Sequence, residues 1–212
     1  MQKHVKSVFW QKEQMSKDNL QNELFYCEHL LDNPQNVELI KEFQIKQNTG
    51  HGLEVYLKQY SVIEEEEHSA RTYIVKDNIT HEIVGYFSLK AGMIAANERK
   101  TLFTSEFDSI PGIELANFAV NSMYKEAHSE YEGIGKIIFV DFILPIARKA
   151  ANHIGITYLY IFALPYDTLI NYYKSLGFGR LSFLEEFFMH RRIRPRYDKR
   201  CIFMAQKINY QV

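Results

Sequence analysis

The chain has 212 residues, 46% hydrophobic and 24% charged, with 25 Lys+Arg against 26 Asp+Glu and a net charge of -1. This length suits one well-buried domain with an appendage, the balanced charge excludes a global basic field for polyanions, and 15 Phe with 14 Tyr exclude a disordered chain. Cys27 and Cys201 match neither a zinc spacing nor a disulfide framework and read as free thiols, and no apolar run is long enough for a bilayer, so a cytoplasmic protein without a membrane partner is expected.

Residues 1–52 are polar, rich in Gln, Asn and Lys, with amphipathic pieces, and read as a partly helical N-terminal extension ahead of a main domain over 53–212. Leu53, Tyr56, Leu57, Tyr60 and Ile63 recur at helical spacing. The glutamates at 64–67 would fall at the dipole-disfavoured end of that helix and read as a solvated loop. Residues 71–75 (RTYIV) and 82–89 (EIVGYFSL), joined by a polar turn through Asp77-Asn78, read as an antiparallel hairpin. A linker carrying Pro111-Gly112 leads to a strand over 113–120 (IELANFAV).

A long apolar helix is expected over 133–155, bent or broken at Pro145, because an interior proline costs about 3 kcal/mol unless a kink absorbs it. Residues 157–164 (TYLYIFAL) read as a strand buried on both faces, 166–176 as a helix closed by Gly177, and 201–204 as a last strand. The order predicts an α/β (α+β) fold with a mixed, mostly antiparallel central sheet flanked by helices.

The informative junction follows Val120, where Glu130-Tyr-Glu-Gly-Ile-Gly135 precedes a helix start. Unpaired N–H groups and the positive end of the dipole there can hold phosphate oxygens, and glycine at 133 and 135 permits close approach of a pyrophosphate. A tight turn that contains two glycines accounts for the same letters. The eight histidines show no ligand spacing, and no metal is expected.

The spacing Glu130-x-x-Gly133-x-Gly135 after a strand, followed by Tyr172-Tyr173-Lys-Ser-Leu-Gly177-Phe178, resembles the GCN5-related N-acetyltransferase (GNAT) superfamily, whose loop reads Q/R-x-x-G-x-G/A and whose later helix ends like F-Y-x-x-x-G-F. The resemblance covers about residues 53–205. It implies acetyl-CoA as cosubstrate, with Phe118, Ala119 and Val120 offering strand backbone to the pantetheine and Gly133, Ile134, Gly135 and Lys136 gripping the pyrophosphate, helped by Asn171. Glu130 departs from the family's Gln/Arg and implies weaker binding, which Lys136 partly offsets.

The same resemblance implies Tyr173 as general acid for the departing thiolate and Glu114 as the base that takes the amine proton, with aromatic packing and a solvated strand-end carboxylate as their structural alternatives. A small-molecule or peptide amine acceptor follows, and a homodimer is open. The hairpin also resembles bacterial GNAT toxins that acetylate aminoacyl-tRNA and are neutralised by an antitoxin, although those are usually shorter and more basic. Five arginines and a lysine within 190–200 suit tRNA phosphates or, equally, a salt network with Glu64–Glu67 and Glu185-Glu186. Glu130 leaves a third reading, a catalytically silent binding module.

Overall fold

The computed structural model describes residues 20–100, 105–193 and 200–208. Eight strands, β1 (Leu20–Gln21), β2 (Phe25–His29), β3 (Arg71–Asp77), β4 (Ile83–Lys100), β5 (Ser105–Val120), β6 (Tyr158–Ala163), β7 (Gly179–Arg180) and β8 (Ile202–Lys207), form one sheet in the order β1-β2-β3-β4-β5-β6-β8-β7. β5 and β6 are parallel and every other junction is antiparallel. The mixed, mostly antiparallel sheet expected from the sequence is present.

The segment read as an extension enters this sheet from Leu20 onward. β2 pairs with β3 from Phe25↔Asp77 to His29↔Tyr73, and Phe25 and Cys27 are buried in the main core. Lys76 Nζ meets Glu28 Oε1 at 2.6 Å beneath the β2–β3 pair. Leu30, Ile40 and Phe43 close over Ile74 and Tyr86, flanking the short α1 (Gln35–Leu39).

α2 (His51–Val55), a π-helical segment Tyr56–Tyr60 and α3 (Ser61–Glu66) run on as one rod. The glutamates expected as a solvated loop are therefore partly helical. Glu65 is buried and accepts from Arg71 Nη1 at 3.0 Å, from the Thr72 N–H, and faces His29 Nε2 at 3.1 Å. These contacts pin the end of α3 to β3 and outweigh the dipole penalty, which is confined to the last turn and is small.

The sheet has apolar side chains on both faces. On one face Val75, Val84, Phe87, Leu159 and Ile161 meet α5 (Ile134–Ile138), α6 (Leu144–His153) and α7 (Asp167–Ser175). A Cβ on Gly85 would lie 2.7 Å from Ile138 Cδ1 and 2.8 Å from Ala119 O, so glycine lets α5 sit close on β4. α5 and α6 are joined by a π-helical segment, Phe139–Ile143, in which the Leu144 N–H reaches back to Phe139 O. This wide turn directly precedes Pro145, so the disruption expected at the proline is absorbed as a bulge in a continuous helix.

On the other face α8 (Phe183–Arg192) covers Tyr160, Phe162 and Phe203 through Phe188 and Met189. α8 was not expected from the sequence. The Pro111-Gly112 linker is instead strand: Pro111 pairs with Met93 and Gly112 with Gly92 in a β4–β5 ribbon that continues past the sheet. The Tyr160 ring crosses both glycines, where a Cβ on Gly92 would fall 1.9 Å from its hydroxyl.

Candidate active site

β5 and β6 pair from Gly112↔Tyr158 to Glu114↔Tyr160, and then part. Beyond that rung β5 stays with β4, while β6 continues along β8 to Ala163↔Ile202. At the point of parting the β4–β5 register steps from Ser88↔Asn117 to Leu89↔Leu115, which leaves Ala116 as an extra residue. Such a bulge bends the strand and re-aims its peptide groups. A cleft of about 670 Å³ opens in the gap, between Leu115–Phe118 of β5, residues 161–164, Tyr173 of α7 and the α2–α3 rod.

On the α7 side, Tyr173 lines the cleft and is buried, and Tyr172 packs edge-on to it with centroids 5.3 Å apart. Burial pushes the Tyr172 hydroxyl up to about 12 and raises Tyr173 further above the ordinary phenol value, the neighbouring Tyr172 adding to it. Tyr173 therefore keeps its proton at any working pH. Gly177, at φ +93°, ends the helix as expected.

The turn before α5 lies beyond Tyr172. Gly133 has φ +67°, its carbonyl accepts from Lys136 N at 2.8 Å and Ile137 N at 3.1 Å, and the N–H groups of Ile134 and Gly135 thus precede the first intrahelical donors. Ile134 anchors the turn in the core while Gly133 and Lys136 are exposed. Glu130, the residue out of place in the loop, stands exposed with Oε1 3.4 Å from His128 Nδ1; His128 also faces Glu82 at 3.5 Å and stacks on Tyr124.

The expected site residues fall into three groups. Phe118 and Tyr173 meet in the cleft, and Gly133, Ile134, Gly135 and Lys136 form the helix-opening turn next to it. Ala119 packs under the α2–α3 rod and Val120 toward α5, so the side chains of these two lie outside the cleft. Glu114 and Asn171 are not brought to the lining: Glu114 lies against the Tyr160 hydroxyl at the last paired rung, and Asn171 is exposed on α7. The sequence reading missed Tyr56, Tyr60 and Glu64, which line the opposite wall. Their 4-residue spacing along one helix face was the available signal.

Of the basic strip, Arg191 lies over Phe187 and Arg192 over Phe107 and Phe188; outside it, Arg180 pairs with Glu186 at 2.9 Å. Residues 194–199 of the strip lie outside the described residues. Among the described residues no group of three or more His, Cys, Asp or Glu could hold a metal ion, and no helix is long and apolar enough to cross a membrane.

Neither a family model nor a curated protein matches this sequence. Solved structures do. A Tyr-to-Phe mutant of KacT aligns over 88% of this chain and 96% of its own at 15% identity and a TM-score of 0.63. AtaT complexed with acetyl-methionyl-tRNAfMet aligns over 84% and 93% at 19% identity and 0.56, and AtaTR bound with AcCoA over 86% and 93% at 20% and 0.55. The chain has the GNAT acetyltransferase fold. In this GNAT fold the parted β5 and β6 and the bulge at Ala116 border one cleft, with the turn at Gly133 beside it.

Proposed function

We propose that the chain is an N-acetyltransferase that moves acetyl from acetyl-CoA to a primary amine by direct attack within a ternary complex. The observation that carries the reading is the convergence, on one cleft, of a bulged strand freed from its parallel neighbour and a buried phenol, with a helix-opening glycine turn alongside.

Alternate peptide groups of residues 115–120 face the side that β6 has left, and suit the amides of a pantetheine arm. The N–H groups of Ile134 and Gly135, with the positive end of α5, suit pyrophosphate oxygens, and Lys136 adds charge. Glu130 is engaged with His128, which limits its repulsion of an anion. The amine nitrogen attacks the thioester carbonyl, the C–N bond forms and the C–S bond breaks. Tyr173 gives its proton to the departing thiolate and is restored by the second nitrogen proton. The first nitrogen proton leaves for solvent through an acceptor-side base.

A narrower reading, an aminoacyl-tRNA acceptor, draws on the likeness in fold to AtaT complexed with acetyl-methionyl-tRNAfMet and on the cationic end of α8 at His190, Arg191 and Arg192. One experiment separates the readings. Labelled acetyl-CoA is offered to bulk aminoacylated tRNA and, separately, to polyamines, amino acids and peptides, with Tyr173→Phe run alongside. Label in either pool that is lost in the variant supports the enzyme; label in tRNA alone supports the narrower reading. No label in either pool, with no binding of acetyl-CoA, overturns both in favour of a silent module.

A further inference from the structure

The wall of the cleft opposite β6 carries a charged group that the reaction above leaves unused. Glu64 is the one charged side chain among the described residues that line the cleft, and its carboxylate is half-buried. Tyr56 Oη donates to its Oε2 at 2.9 Å, and Lys90 Nζ lies 2.9 Å from Oε1 and 2.8 Å from Oε2. Behind Tyr56, the Thr72 and Ser88 hydroxyls are hydrogen-bonded to each other at 3.0 Å in the buried β3–β4 pair. The carboxylate is thus held by the Tyr56 hydroxyl, and a single ammonium straddles it.

We propose that Glu64 is the acceptor-binding carboxylate, and that the acceptor is a primary ammonium on an apolar or aromatic carrier. The inference rests on the acetyltransferase reading and deepens it. Lys90 is a resident ammonium on the carboxylate that the acceptor's ammonium would take. Its side chain keeps 23% of its surface exposed, so it can withdraw to water along its alkyl stem when a substrate of like charge arrives. The remaining lining suits the carrier: Leu53, Tyr60, Phe118 and Phe162 give apolar and aromatic walls that favour a cation with a greasy body. Glu64 takes the first nitrogen proton, which leaves a neutral amine for attack; the proton passes to solvent after release. Glu114, at the last paired rung with its carboxylate on Tyr160, is left a structural part.

The test is calorimetric binding of 2-phenylethylamine in the presence of CoA, with acetyl-CoA binding measured separately on the same samples, in the full chain and in Glu64→Gln, Glu64→Asp and Lys90→Met. The amine Kd is expected to rise at least about tenfold in Glu64→Gln, to recover partly in Glu64→Asp and to fall in Lys90→Met, because the competing ammonium is gone, while acetyl-CoA affinity is unchanged. A purely structural ion pair would make Glu64→Gln and Lys90→Met worse together, and that result overturns the proposal. So does an amine Kd indifferent to all three variants. If acetyl-CoA binds and amines are acetylated but Glu64 has no effect, only this inference falls; if acetyl-CoA does not bind the unmodified chain, the enzyme reading falls and carries this one with it.

Discussion

Gly135 and Tyr172 couple the turn before α5 to α7, and the geometry fixes the sign of that coupling. A Cβ on Gly135 would lie 2.8 Å from Tyr172 Oη, with Tyr172 Cζ at 3.6 Å and Val120 Cγ2 at 3.7 Å behind it. The first distance forces the ring to shift, at an overpacking cost of about 1–3 kcal/mol. Replacing a helical glycine by alanine returns about 1 kcal/mol. Gly135→Ala alone should therefore destabilise by roughly 0–2 kcal/mol. Tyr172 Oη is buried and has no hydrogen-bond partner among the described residues, so Tyr172→Phe should be neutral or stabilising by about 1 kcal/mol. In the Tyr172→Phe background the contacts left at 3.6 and 3.7 Å are ordinary, and Gly135→Ala should stabilise by about 1 kcal/mol. Urea unfolding of the four proteins gives the coupling energy, expected at about 1–3 kcal/mol. Equal effects of Gly135→Ala in both backgrounds would refute the contact.

Three further outcomes follow from the geometry. Tyr173→Phe should lower kcat by about 10²- to 10⁴-fold with acetyl-CoA affinity retained, measured by steady-state kinetics and titration, because only the proton is removed. Since burial and Tyr172 hold Tyr173 above its usual value, no alkaline loss of rate should arise from it below pH 10. Asp77 is set against its own burial by hydrogen bonds from Tyr124 at 2.6 Å and from the N–H groups of Thr80 and Ile79, and its carboxyl is lowered overall. A lowered carboxyl binds its proton less readily folded than unfolded. The stability it contributes is thus present above the unfolded value near 4 and lost as pH falls through the folded value, and Asp77→Asn should flatten that acid limb in thermal melts.

Much of the fold was legible because its signals were local. The β3–β4 hairpin, β6 and the α7 ending at Gly177 each announced themselves by alternation, a continuous apolar run or a glycine stop, and the two motifs lie where the cleft forms. The remainder depended on partners. β2 is five residues, FYCEH, whose inward Phe25 and Cys27 gain meaning only from pairing with β3. Pro111 and Gly112 read as a linker, yet both pair with β4, and the Tyr160 ring fills the space that the missing side chains of Gly112 and Gly92 leave. Glu64 was set aside on the helix dipole, an effect smaller than the Lys90 and Tyr56 contacts that hold it. α8 carried a readable sign, the Ser182-x-x-Glu185 capping box, whose reciprocal bonds are present, but its charged end was read only as a strip for phosphates or for a salt network.

The central claim is that acetyl-CoA enters between β5 and β6 and rests on the turn at Gly133. Hydrogen exchange with and without acetyl-CoA tests it at the level of single segments. The account expects slowed exchange in residues 115–118 and 133–135, where free peptide groups become bonded, with little change in α8. Protection confined to other segments, or none at saturating acetyl-CoA, would contradict it.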